Sequence, residues 1–374
     1  MGNQKRKAEA ERRRKRQRRI GLFALIAIVV VAVVAAYFLF VRKTVPPVAA
    51  SENAAAAFAG GPATLVYANF EDAAELHRLD LTTDADETSV ELPRSGDTKA
   101  ALGSSWLSIE VVEEGDDGGK LLPHIYIFNS ETEEELQIGV GTDSFWSPDG
   151  ALMAWNQPVD PNECGEERCR GDISIAVTEA DSGQTDALTE PGPYGVIGWA
   201  GEYLIVQDNT VPENPVLNSL SPGGELNELP IRPIDYWGAS PDGRWLVQSG
   251  NSDAMFFEFA DGEVAGAGES IGITEGSKLG TGAWAHDSSH VAAFAAGEDD
   301  ALEFITFRPN APEPVVLAEG GQASTGVVMW SPDNDAAMFQ RFTGDELEAV
   351  YCPLEGECST VLSWTTGRSL LRIE

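Results

Sequence analysis

Basic residues are scarce in this chain, and unevenly so. Among 374 residues there are 25 Lys or Arg against 60 Asp or Glu, a formal net charge of −35, and only three lysines follow Lys43. Phosphate binding needs a basic footprint, so no nucleic-acid partner is expected for the bulk of the chain. Histidine is sparse as well: His77, His124, His286 and His290 are the full set, and no H-E-x-x-H zinc motif occurs. No strand-to-helix nucleophile elbow of a hydrolase domain is expected either. From Thr64 onward a helical period is missing, which excludes an all-α fold.

What basic charge exists lies at the start. Residues 1–43 hold twelve Lys or Arg and only Glu9 and Glu11, a balance of +10, which leaves −45 for residues 44–374. Between Arg19 and Arg42 run 22 uncharged residues, about 33 Å of helix against a hydrocarbon core of about 30 Å. Residues 20–42 are therefore expected to be a transmembrane signal-anchor helix in contact with the lipid bilayer. Its apolar stretch is longer than that of a cleavable signal peptide. The basic tail, residues 1–19, sets the N-terminus in the cytoplasm and the rest outside the cell membrane by the positive-inside bias. Residues 43–63, with Pro, Gly and an alanine run, read as a linker.

The remainder, 64–374, consists of short alternating or β-branched runs between turn signals, the pattern of an all-β sandwich, barrel or propeller. An internal repeat decides among these. Trp146-Ser147-Pro148-Asp149-Gly150 returns as Ala239 to Gly243, as Trp284 to Ser288 and as Trp330 to Asn334. Taken at the second position, the gaps are 93, 45 and 46, and a degenerate copy, Gly198-Trp199-Ala200-Gly201, fills the double gap. Ser, Pro, Asp and Gly suit successive positions of a type I turn between two strands, so these residues are scaffold. About 45 residues carrying four strands is one propeller blade.

Whole blades then start near Thr98, Asp143, Tyr194, Ile234, Lys278 and Ser324. The first three runs, from Thr64, supply strands B, C and D of one more blade, and the C-terminal run Arg368 to Ile373 supplies its strand A. The expected fold is a seven-bladed β-propeller, six or eight blades being the alternatives, closed by the C-terminal strand, which removes an open edge. The S-P-D-G turn resembles the WD-like repeat of TolB-family bacterial propellers, also seen in propellers of dipeptidyl-peptidase-type enzymes. The resemblance spans residues 64–374 and implies a fold; it implies little about ligand, because that family's propellers bind in diverse ways.

Four cysteines outside the membrane read as two disulfides. Cys164 and Cys169 would stiffen the longest loop, Gln157 to Gly171, and Cys352 and Cys358 would staple a hairpin between strands C and D. Antiparallel order puts every B–C loop on one face of the disc and every A–B turn on the other. The linker enters strand B on the A–B side, so the B–C face is expected to look away from the membrane. Each B–C loop contributes carboxylates: Glu71, Asp72 and Glu75; Glu113, Glu114, Asp116 and Asp117; Asp160, Glu163, Glu166 and Glu167; Asp208 and Glu213; Asp253; Glu298, Asp299 and Asp300; Asp345 and Glu346. One reading is an acidic face that recruits an envelope protein, a basic peptide, a glycan, or Ca2+ or another divalent ion. The other is acidity for solubility or salt adaptation.

No resident cofactor, metal site or catalytic residue is expected. His286 and His290 need not share a face, and Asp84 to Glu87 lacks the glycine and length of a calcium loop. The expected function is a non-enzymatic binding or scaffold module of the bacterial cell envelope. The alternative is a hydrolase or lyase with a metal in the central channel, assembled from distant strands.

Overall fold

The turn motif folds as its residue types dictate. In the computed structural model, the Ser147 hydroxyl donates to Asp149 Oδ1 at 2.6 Å and accepts from the Leu152 amide at 2.9 Å. Ser240 repeats both bonds with Asp242 and Trp245. The fourth position is left-handed in every copy: Gly150 (φ 69°), Gly243 (φ 69°), Ser288 (φ 61°) and Asn334 (φ 60°). A four-residue hairpin connection built around a type I turn is among the common ones. Gly243 is required twice over, because a Cβ there would lie 2.8 Å from the carbonyl oxygen of Ala200.

The structure describes residues 49–50, 64–69, 74–81, 85–101, 103–114, 120–165, 169, 171–250, 253–266, 268–273, 279–296, 302–311, 313–319, 322–343, 346–364 and 368–373. The chain divides into two compact units, Met1–Pro47 and Val48–Glu374, and all described residues belong to the second. The predicted anchor helix at 20–42 lies outside them; among the described residues no helix is long and apolar enough to cross a membrane.

Seven antiparallel sheets form the seven blades of a propeller, six of them with strands A to D in chain order. Blade 1 takes strand A from the C-terminus, Arg368–Ile373, followed by Thr64–Asn69, Glu75–Asp80 and Ala85–Glu91. Blade 2 is Asp97–Ala100, Trp106–Glu114, Leu121–Asn129 and Glu134–Val140. Blade 3 is Thr142–Trp146, Leu152–Pro158, Ile173–Glu179 and Thr185–Ala187; blade 4 is Tyr194–Ala200, Tyr203–Asp208, Val216–Leu220 and Leu226–Leu229. Blade 5 is Tyr236–Ala239, Trp245–Ser249, Asp253–Ala260 and Glu269–Gly272, with a short Glu263–Val264 hairpin strand. Blade 6 is Leu279–Trp284, Val291–Ala296, Leu302–Phe307 and Val315–Glu319; blade 7 is Gln322–Trp330, Ala336–Thr343, Glu346–Pro353 and Ser359–Trp364.

Ala49–Ala50, inside the expected linker, adds a fifth strand antiparallel to the outer strand of blade 7. It runs along the rim toward the A–B face, so entry at Thr64 alone does not orient either face toward a bilayer. Both disulfides, Cys164–Cys169 and Cys352–Cys358, are formed.

The core is seven separate clusters of buried side chains, one in each gap between adjacent blades. Across three gaps the motif tryptophan adds a directed bond. Trp146 donates its indole N–H to Lys99 O at 3.2 Å, Trp199 to Phe145 O at 2.9 Å and Trp330 to Ala283 O at 2.9 Å. In each case the acceptor lies one residue before the equivalent tryptophan position of the preceding blade. Trp284 occupies the same slot in blade 6, yet its buried Nε1 has no hydrogen-bond partner.

The pair gives an internal control. Trp330→Phe is expected to cost about 1–3 kcal/mol, since it orphans a buried carbonyl, whereas Trp284→Phe removes an orphaned donor and is expected to be near neutral or slightly stabilising. Denaturant midpoints of the two variants check this; equal losses would refute the tether.

Candidate functional site

On the B–C side of the disc, polar side chains of strand B reach across to strand A of the next blade. Glu110 Oε1 accepts from Lys99 Nζ at 2.9 Å, the Ser144 amide at 2.8 Å and the Ser144 hydroxyl at 2.7 Å, and Oε2 accepts from the Asp143 amide at 3.2 Å. One blade on, Asn156 takes the equivalent place: its Oδ1 accepts from the Val196 amide at 2.9 Å and its Nδ2 donates to Asp143 Oδ2 at 2.9 Å. Burial opposes the charge on Glu110, but Lys99 and the Ser144 donors outweigh it and hold the carboxyl below its ordinary range. Glu110 and Asn156 thus join blade 2 to blade 3 and blade 3 to blade 4.

A second cluster holds one of the predicted face residues. Arg94, in the loop from blade 1 to blade 2, pairs with Glu113 and, at 2.7 Å, with Glu135, and its guanidinium carbon lies 3.9 Å above the Tyr126 ring. Tyr126 donates its hydroxyl to Glu113 Oε2 at 2.8 Å. Burial, then the Glu113 bond, pushes the Tyr126 phenol up to about 12. Burial resists the charge on Glu113, but the Tyr126 and Arg94 bonds lower its pKa. Glu113 is thus committed within the protein.

Several other predicted carboxylates are also committed locally. Glu75 Oε2 is 3.2 Å from His77 Nε2. Asp160 accepts from the Asn162 amide, Asp208 from the Thr210 amide and hydroxyl, and Asp253 from the Ser270 hydroxyl at 2.7 Å. Glu114, Glu163, Glu213 and Glu346 are exposed and bond to no other described side chain. Glu71, Asp72, Asp116, Asp117, Glu166, Glu167, Glu298, Asp299, Asp300 and Asp345 lie outside the described residues. The described cations of this face are engaged: Lys120 contacts the Asn162 carbonyl, joining the loops of blades 2 and 3, and Arg232 forms an ion pair with Asp235.

The structure adds a feature that counting carboxylates does not find. Nine large apolar side chains are exposed among the described residues, and six of them, Val112, Leu121, Val159, Val211, Ile234 and Phe342, sit in or beside B–C or D–A connections. All such connections lie on one face. Single exposed apolar residues are ordinary; the majority of the described ones fall on this face.

Among the described residues no three His, Cys, Asp or Glu side chains converge as a metal site. His286 binds through its amide to Asn334 Oδ1, while the His290 ring bonds to the Ser289 hydroxyl. Gly268-Glu269-Ser270-Ile271-Gly272 does spell G-x-S-x-G, against expectation. It is not an elbow: Ser270 is exposed on the outer strand of blade 5 and bonded to Asp253.

No family model and no curated protein matches the chain. Among solved structures, the periplasmic gluconolactonase PpgL of Pseudomonas aeruginosa superposes with a TM-score of 0.55 at 14% identity, covering 84% of this chain and 99% of its own. A putative 6-phosphogluconolactonase from Bacteroides fragilis gives 0.52 at 10% identity, over 87% and 99%. TolB from Acinetobacter baumannii gives 0.45 at 12% identity, over 88% and 89%. The two lactonase likenesses show the propeller fold. They also overturn the expectation that the chain is no enzyme, since propellers titled as lactonases share this architecture and a missing local motif excludes nothing.

The Glu110 network carries a pH dependence. A carboxyl whose folded pKa is lowered stabilises above its unfolded value near 4.3 and loses that contribution as pH falls through the folded value. Glu110→Gln is therefore expected to cost about 2 kcal/mol at pH 7. The deficit should shrink below about pH 4. Chemical denaturation at pH 7, 5 and 3.5 measures it, and a deficit independent of pH would refute the assignment.

Proposed function

We propose that the chain is an N-in, membrane-anchored propeller of the cell envelope whose B–C face binds a basic, amphipathic segment of a protein partner. The observation that carries this reading is the coincidence on one face of six exposed apolar side chains with the uncommitted carboxylates Glu114, Glu163, Glu213 and Glu346. Apolar contact supplies affinity, and the carboxylates select for cations and speed encounter. A glycan fits this face less well, because its exposed apolar groups are aliphatic apart from Phe342. The uncharged stretch at 20–42 and the two disulfides support placement outside the cytoplasm. The alternative, a hydrolase or lyase with a metal in the channel, draws on the shared fold; calorimetric titration with Ca2+, Zn2+ and Mn2+ tests it.

The face is tested with the full chain in nanodiscs and a helical 18-residue Lys/Leu peptide as probe. Exchanging Glu114, Glu163, Glu213 and Glu346 for Gln is expected to weaken binding about tenfold, at about 0.2–1 kcal/mol per exposed pair. The same exchange at Glu225, Glu263, Glu355 and Glu357, toward the other face, should change it less than twofold. Equal effects of the two sets, or no binding at low salt, would refute the reading.

A further inference from the structure

The degenerate repeat unit opens a cavity on the opposite face. In blades 3, 5, 6 and 7 four residues separate the hydrogen-bonded ends of the A–B turn: Ser147 and Leu152, Ser240 and Trp245, Ala285 and His290, Ser331 and Ala336. In blade 4 only Gly201 and Glu202 separate Ala200 from its partner Tyr203. Gly201 at φ 60° suits the first position of such a two-residue turn.

The shorter turn also lacks a cap that two other blades have. In blades 6 and 7 the left-handed residue bonds the preceding blade's turn, Ser288 Oγ accepting from the Asp242 amide at 3.0 Å and Asn334 Oδ1 from the His286 amide at 2.7 Å, whereas blades 3 and 5 carry Gly150 and Gly243 at that position. Gly201 has no side chain to offer blade 3, and its backbone leans on Gly243 of blade 5, 3.1 Å from where its own Cβ would stand. The crevice between blades 3 and 4 is left open.

That crevice is a half-open cavity of 540 Å³, a size usual for small-molecule sites. Its walls are Leu152, Val177 and Leu188 from blade 3 and Trp199, Leu204 and Leu220 from blade 4. Among the described residues its charged lining is Asp149 and Glu202, both exposed, with no cation beside them. The Ser147 hydroxyl and the Ala151 amide hold Asp149 below the ordinary carboxylate range, so it stays anionic at neutral pH. We propose that this crevice is a binding site for a small organic cation with an apolar body, the body held between Leu188, Trp199 and Leu204 and the charge set against Asp149 and Glu202.

The test uses the full chain in nanodiscs with two probes of like size, 1-naphthylmethylammonium and 1-naphthoate, read by calorimetry and tryptophan fluorescence. The cation is expected to bind at least tenfold more tightly than the anion at low salt. Leu188→Trp and, independently, Val177→Trp should abolish binding with circular dichroism unchanged. Glu202→Gln should weaken the cation several-fold, while Glu355→Gln on blade 7, which changes the overall charge equally, should not. Binding that survives both filling variants, equal effects of the two Glu→Gln changes, or no binding of the cation would overturn the proposal. The four-residue exchange on the B–C face should leave this binding intact, which separates the two sites.

Discussion

A four-stranded blade has two faces and no layer of its own to cover either, so each blade must bury both against its neighbours. That constraint accounts for the core being seven clusters rather than one. It also explains why the ring must close. The C-terminal strand pairs with Thr64–Asn69 over five residues and supplies Leu370 and Ile373 to the cluster between blades 7 and 1. Without it the first blade would present an unpaired inner edge and a half-covered face. Between blades 2, 3 and 4 each gap is bonded at both ends: an indole N–H near the A–B turns, and Glu110 or Asn156 near the B–C loops.

A scaffold held in this way leaves its two rims free to differ. The B–C loops vary in length and carry the exposed apolar and acidic groups, as loops on a rigid frame commonly do. The A–B turns are tightly specified because they also serve as the seam between blades. A deviation there has a local consequence. Shortening one turn by two residues does not disturb the sheet register of blade 4, but it removes the atoms that would fill the mouth of one gap. The irregular copy of the repeat is where the repeat stops being only scaffold.

Most of the architecture was legible in the residues. The period, the turn chemistry and the arithmetic of unpaired strands place all seven blades within about two residues of their observed starts, because turns and hairpins are encoded locally. Cysteine pairing was legible for the same reason. The site was not. Whether Glu113 is available depends on Arg94, Glu135 and Tyr126, which only the fold brings to it, and Asp208 and Asp253 bond to nearby surface donors that spacing does not distinguish. The exposed apolar set is invisible in sequence, since Val211 or Phe342 reads like any strand residue until its face is known. Function class was overread from absent motifs, a weak inference for a ring that assembles sites from distant strands.

The acidity can now be placed. In the gaps between blades, charge is rare and paired: Glu110 with Lys99, and Arg341 with Glu348 at 2.7 Å within blade 7. Among the described residues no Asp or Glu is fully buried, and at the surface water and salt screen charges separated by more than about 8 Å at physiological ionic strength. A ring spreads them around its circumference, so self-repulsion is spent between loops that can move apart rather than across the core. This is why a domain can tolerate so large a negative charge with so little charge inside it. Solubility and recognition are then not competing explanations of the same residues. Carboxylates such as Asp208 that serve a turn contribute to the field alone, while those with no internal bond, such as Glu213, contribute to the field and remain available to a cation.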